Sequence, residues 1–268
     1  MFIKQTNSTN DLLRSLITDY EQGKDVSEDV RACLQQALPV LYTGFQTAGR
    51  GQAGNSWESE EGKNLLFSVL LKRPNVPIHE GFRVAMWAAL AIVKTLDYIP
   101  LTIKWPNDIY YKDKKLCGML IENSITSAGW NYSIIGVGLN VNQTEWLSAA
   151  PNPISIATIT NQMEDLSQLL DRIIAQMVED LCLLEDYEEL KRQYVAFLYR
   201  KEGYHYYVER EVSLQPTDNQ WDDMQGAFEA KIVDITAQGE LVLQLRDEQI
   251  RTYHFKQIRY VINTKNKN

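Results

Sequence analysis

The chain has 268 residues, 44% of them hydrophobic and 23% charged, and a formal net charge of −8 at pH 7. That is enough for a conventional core in one large domain, or in one large and one small, without disulfides or metal. The acidic balance argues against a nucleic-acid backbone as the main partner, because such affinity comes from neutralising phosphates.

The three cysteines, Cys33, Cys117 and Cys182, are far apart and form no C-x-x-C pair. His79, His205 and His254 have no metal-ligand spacing. Both facts point to a reducing cytoplasm and away from a disulfide frame or a structural metal. The first ten residues carry no signal-peptide core, and the longest strongly apolar run, 84–93, is too short to span a bilayer.

In chain order, Leu12, Leu13, Leu16, Ile17 and Tyr20 fall at helical spacing behind Ser8-Thr9-Asn10, whose side chains suit a helix cap. They predict a helix over 10–20, followed by a second over 28–37 and a short strand over 39–45. The nearly continuous apolar run 64–72 reads as a buried strand. The alanine-rich stretch 80–96, apolar on most sides, reads as a buried helix. Short strands are predicted over 101–104, 109–111, 115–122 and 132–141, then long helices over 166–199. From Tyr204 onward, short alternating runs (228–234, 240–245) between glycine-bearing turns suggest a small all-β unit. The pattern is α+β, with a boundary expected near 203, dividing the chain into 1–203 and 204–268.

Two segments carry chemistry. Gly49-Arg50-Gly51-Gln52-Ala53-Gly54 satisfies the literal G-x-G-x-x-G pattern. A dinucleotide site needs a helix opening at its end, and Asn55-Ser56-Trp57-Glu58 begins no apolar helical period. A P-loop would need lysine where Asn55 stands. Two readings remain: a plain structural loop, or one whose backbone N–H groups and Arg50 fork approach an anion, with Trp57 offering a flat face. Lys104-Trp105-Pro106-Asn107-Asp108 is either an exposed lysine and a turn, or a phosphate-facing lysine with a carboxylate that positions it or helps hold Mg²⁺. Lys115 beside Gly118, and Gly136-Val137-Gly138-Leu139-Asn140 at the end of a buried strand, pose the same choice.

Taken together and in this order, Ser8-Thr9-Asn10, the 46–57 segment, Lys104 to Asp108, Lys115 to Gly118 and Gly136 to Asn140 resemble the biotin protein ligase family, also called biotin–[acetyl-CoA-carboxylase] ligase. The resemblance covers residues 8–140. It implies a mixed, largely antiparallel sheet with packed helices, of the class II synthetase kind, and a small C-terminal SH3-like β-barrel.

The implied reaction joins biotin to ATP as biotinyl-5′-adenylate, releasing pyrophosphate, and then transfers biotin to a lysine of a biotin carboxyl carrier protein. Mg²⁺ would accompany ATP. Ser8, Thr9 and Gln46 would bind the ureido ring and its surroundings. Gly49, Arg50 and Gly51 would close over biotin and phosphate, and Trp57 would stack near adenine. Lys104, Asn107 and Asp108 would serve the phosphates and Mg²⁺. Lys115 would contact the carboxylate and α-phosphate, while Gly118 and Asn140 would line the site. Arg50, Lys104 and Lys115 would be the catalytic cations.

Two departures from the family's pattern stand out. The bacterial loop carries arginines where this chain has Gln52, Ala53 and Asn55, which predicts looser retention of the adenylate. The ligand segment begins at Ser8, which predicts a ligase without a DNA-binding repressor domain. The resemblance also admits a homodimer. Competing functions are a lipoate or octanoate ligase or transferase, a non-catalytic small-molecule sensor and, more distantly, a P-loop NTPase.

Overall fold

The computed structural model describes residues 1–52, 55–146, 152–210 and 226–262. Its frame is a seven-stranded sheet in the order β1-β2-β3-β7-β6-β5-β4. The strands are β1 (Phe2–Thr6), β2 (Val40–Gln46), β3 (Leu65–Lys72), β4 (Leu101–Lys104), β5 (Asp108–Tyr111), β6 (Lys114–Thr126) and β7 (Gly129–Leu139). β1 runs parallel to β2, and every other pair is antiparallel.

The sheet is covered on both faces, which explains why β3 reads as a continuous apolar run. Along β3, Phe67, Val69 and Leu71 join the main core. Leu70 joins a smaller cluster with Leu13, Ile17, Val30, Leu34, Leu41 and Ile134. The smaller cluster is supplied by α1 (Thr9–Glu21) and α2 (Glu28–Gln35), capped by Ser8 and Ser27. The main core is built around α3 (Phe82–Thr95), which is buried from Arg83 to Val93. Against α3 lie α5 (Leu166–Glu179) and α6 (Tyr187–Ala196).

The short α4 (Ile156–Thr160) was not expected. The run predicted over 166–199 is broken by a 3₁₀ turn, Asp180–Leu184, and by Asp186, whose carboxylate caps α6 by accepting from Glu189 N at 3.1 Å. β1 was also unforeseen, because its residues alternate weakly as a mostly exposed edge.

β8 (His205–Glu209), β9 (Ala227–Ile235), β10 (Leu241–Leu245), β11 (Ile250–Tyr253) and β12 (Ile258–Tyr260) form a second, antiparallel sheet in the order β11-β10-β9-β8-β12. It packs against the β4–β5 end of the large sheet. Trp105 Nε1 donates to Gly239 O at 2.9 Å, Arg200 donates to Val261 O at 2.8 Å, and Tyr260 stacks obliquely on Tyr199.

Candidate active site

The site grows from one face of the large sheet. Cross-strand partners share a face, so Ser68, Gly136 and Leu120 line up across β3, β7 and β6, and Leu66, Gly138 and Gly118 form the next row. The three glycines leave this floor bare. A Cβ on Gly136 would overlap the Asn10 carboxamide, and one on Gly138 would overlap the Trp57 indole. Gly118 faces both Trp57 and Lys115, with a Cβ falling 2.8 Å and 3.0 Å from their nearest atoms. Gly136 and Gly138 are two residues apart on one strand, so the two occupied patches stand about 7 Å from each other.

Over Gly136 lies a polar set. Thr9 N and Oγ1 donate to Gln46 Oε1 at 2.8 and 3.1 Å. Ser68 Oγ lies 2.7 Å from Thr9 Oγ1 and 2.6 Å from Asn10 Oδ1, and with one proton it serves one of them at a time. Asn10 Nδ2 donates to Leu120 O at 3.2 Å and to Glu122 Oε2 at 2.7 Å. Ser8 is buried here as the cap of α1, its Oγ accepting from Asp11 N at 3.5 Å.

Over Gly118 and Gly138 lies an aromatic and charged set. Trp57 N donates to Gly49 O at 2.9 Å, and a Cβ on Gly49 would crowd Trp57 O at 2.8 Å, so only glycine allows this approach. Trp57 Nε1 is buried with no hydrogen-bond partner among the described residues. Lys115 Nζ stands 5.8 Å from the Trp57 ring centre and 2.8 Å from Asp108 Oδ1. Asn140 supports this lysine from behind, donating to Lys115 O at 3.3 Å and Ile154 O at 3.1 Å, while its own buried Oδ1 has no partner among the described residues.

Lys104 ends β4 beside this set, its Nζ 5.2 Å from the ring centres of Tyr110 and Tyr260. Burial pulls its pKa down, Asp108 opposes, and Lys115, Arg210 and Arg200 add to the fall, leaving it at about 8.

The loop is tied at two points. Gln52 Nε2 donates to Asn107 Oδ1 at 2.9 Å and to Met119 O at 3.0 Å, and Gly51 N donates to Asn55 O at 2.6 Å. Arg50, by contrast, is turned away from the lysines. Its Nη2 lies 2.5 Å from Asp11 Oδ1 and 3.2 Å from Glu122 Oε2, with Arg14 bridging the same two carboxylates at 3.2 and 2.8 Å. Partial burial pushes the Glu122 carboxyl up, but the Asn10 hydrogen bond and the Arg14 and Arg50 charges outweigh it, and its pKa ends below the ordinary value.

The family described as biotin/lipoate A/B protein ligase matches residues 4–140, just over half of the chain. The chain belongs to this family. Among curated relatives, the bifunctional ligase/repressor BirA of Bacillus spizizenii is 40% identical over 101 residues, 37% of this chain and 31% of that protein. The biotin--[acetyl-CoA-carboxylase] ligase of Mycobacterium tuberculosis is 27% identical over 181 residues, 65% of this chain and 61% of that one. The match thus spans about a third of the first relative's length and about three fifths of the second's. The fold matches that of the Aquifex aeolicus biotin protein ligase in complex with biotin and ATP, with a TM-score of 0.66 and 22% identity over 97% of this chain and 98% of that one.

In this biotin/lipoate ligase family member the structure gathers Thr9 and Gln46 on one patch, and Gly49, Trp57, Asp108, Lys115 and Gly118 on the other. Asn107 is reached through Gln52, and Lys104 from behind through Asp108. Sequence reasoning missed Ser68, Glu122 and Tyr260. Ser68 is the one polar residue inside the apolar run of β3 and was visible as such. Glu122 gave no comparable signal, and Tyr260 lies in the other sheet.

Proposed function

We propose that the chain is an ATP-dependent ligase that attaches biotin to a lysine of a biotin carboxyl carrier protein through biotinyl-5′-adenylate. One observation carries this reading: a neutral hydrogen-bonding set (Thr9, Asn10, Gln46, Ser68) and a cationic, aromatic set (Lys115, Lys104, Trp57) stand next to each other on one glycine-floored sheet face. A ureido ring offers two N–H donors and a carbonyl, which suits the first set. An aliphatic acyl tail has no donor or acceptor with which to use this set.

In the first step a carboxylate oxygen of biotin attacks the α-phosphorus of ATP, the bond to the β-phosphate oxygen breaks, and pyrophosphate leaves. Negative charge builds around the α-phosphorus, and Lys115, fixed by Asp108 and supported through Asn140, is the cation that offsets it. Lys104 serves the departing phosphates. Arg50 leaves its carboxylates to cover the adenylate, and the loop with Trp57 keeps water from the acyl-phosphate bond. In the second step the carrier lysine's amine attacks the acyl carbon, the acyl–oxygen bond breaks, AMP leaves and the amine loses a proton. No side chain acts as a covalent nucleophile.

Among the described residues no three His, Cys, Asp or Glu side chains cluster as a metal site, and Asp108 is already engaged by Lys115. These residues do not fit a resident metal. Mg²⁺ belongs to this reading as the ion carried in by the ATP phosphates.

The test is ATP–pyrophosphate exchange with biotin, lipoate, octanoate or no acid, followed by transfer of labelled biotin to a carrier domain. Exchange with biotin alone, and transfer to one carrier lysine, is the expected result. Exchange with lipoate or octanoate would move the chain to the lipoate branch, and no exchange in a folded sample would leave a binding protein.

A further inference from the structure

The small sheet reaches into the lysine cluster, and what it does there rests on the ligase reading. Lys104 Nζ stands over two aromatic rings, Tyr110 of β5 and Tyr260 of β12, at 5.2 Å from each ring centre. Among the described residues no carboxylate stands at ion-pair distance from it, since Asp108 is taken by Lys115. The Tyr260 ring is itself fixed: it is buried, packs on Tyr199 at 5.9 Å and Tyr207 at 5.0 Å, and its strand is held by the Arg200 bond to Val261 O. A buried tyrosine hydroxyl ordinarily finds a partner. That of Tyr260 has none among the described residues, which leaves the ring face as the part of this side chain in use.

We propose that Tyr260 is a positioning residue for Lys104: with Tyr110 it forms a two-ring clamp that keeps the ammonium charged and aimed at the ATP phosphates, so that the small sheet takes part in adenylation through one ring face. The physical reason is that enclosing an ammonium removes its hydration, and ring faces return part of that loss through their negative quadrupoles. The other groups facing Lys104 divide against the charge. Asp108 favours it, while Lys115, Arg210 and Arg200 oppose it. A carboxylate in place of the second ring would hold the charge as well but would repel the phosphates. A ring does not.

The experiment follows the Lys104 Nζ by NMR through a pH titration of the ligand-free full chain, and in parallel the KM values for ATP and biotin in pyrophosphate exchange. Removing one desolvated ring face in Tyr260→Leu lowers the Lys104 midpoint by about one pH unit. The KM for ATP then rises about fivefold at pH 8 and less than about twofold at pH 6.5, while the KM for biotin stays constant. Tyr260→Phe, which keeps the ring, restores both readings. Should Tyr260→Leu fail to fold, mono-, di- and trifluorophenylalanine at 260 weaken the ring face without changing its shape, and a stepwise fall of the midpoint is expected. A midpoint that does not move along that series, or in a folded Tyr260→Leu, overturns the clamp. Because the titration needs no turnover, it judges the clamp even if the wild-type chain adenylates no acid, an outcome that would sink the ligase reading separately.

Discussion

Arg50 and Asp11 meet at 2.5 Å, although they lie 39 residues apart and Arg50 belongs to the loop expected to cover the ligand. The loop's only arginine therefore rests on the protein's own carboxylates, Asp11 and Glu122, and on the proposed reading a ligand anion competes for it. Arg50 and Asp11 are both substantially exposed, so this ion pair holds Arg50 weakly enough to be exchanged. Removing one competitor should favour the ligand. Asp11→Asn is expected to tighten binding of a non-hydrolysable biotinyl-adenylate analogue about two- to fivefold at low salt, with the difference fading at high salt. Calorimetric titration at two salt concentrations checks this, and equal affinities at low salt would mean that the carboxylates do not hold Arg50 back.

The loop's second tie concerns Gln52. It is neutral and spends its amide on Asn107 Oδ1 and Met119 O, so it anchors the loop without adding charge over the ligand. On the proposed ligase reading, adenylate retention then falls to Arg50 and Lys115. Arg50→Ala is expected to speed release of biotinyl-adenylate about tenfold, the loss of one charge-assisted contact to phosphate. Rapid filtration of the preformed complex measures the rate, and release unaffected by Arg50→Ala would remove the loop arginine from the ligand.

The glycine floor predicts that two alanines, one turn of the pleat apart, do different damage. In Gly136→Ala the new methyl group displaces Asn10, which the polar set needs; in Gly138→Ala it displaces Trp57, whose indole covers the next row. Gly136→Ala should raise the KM for biotin and leave that for ATP nearly unchanged, while Gly138→Ala should do the reverse. Each effect is expected at about tenfold or more, since the contact is too close for a small adjustment. Equal effects of both variants on both substrates would argue against two adjoining half-sites.

Much of this was legible from residue types in sequence. The turn at Asn107-Asp108 and the lysines flanking it put unusual chemistry at strand ends, and those strands formed within a residue or so of expectation. The buried α3 and β3 followed from apolar patterning. What stayed hidden depends on contacts between distant segments. Nothing local marks Glu122 as the carboxylate shared by Asn10, Arg14 and Arg50, and nothing in the segment around Tyr260 says that it will face Lys104 across a junction of two sheets. β1 escaped because an edge strand with one thinly covered face has little periodicity to read.

Lys104 itself should reveal a conflict between stability and activity. Its pKa in the folded chain, about 8, lies below the ordinary 10.5, so the folded state resists protonating it. Between these values the unfolded chain binds more protons, and stability rises with pH; below about 8 the cost of the half-buried cation is felt in full. Lys104→Met removes that cost while filling the same space over Tyr110 and Tyr260. The variant is expected to be more stable than wild type by about 1–3 kcal/mol at pH 7, with the gain shrinking toward pH 10. Its adenylation rate should fall about 100-fold or more, because the phosphates lose a preorganised cation. Denaturant titrations at pH 7 and pH 10, with exchange assays on the same samples, read both quantities. A variant that is less stable at pH 7, or one that keeps full activity, would show that Lys104 is held for the fold and not for the nucleotide.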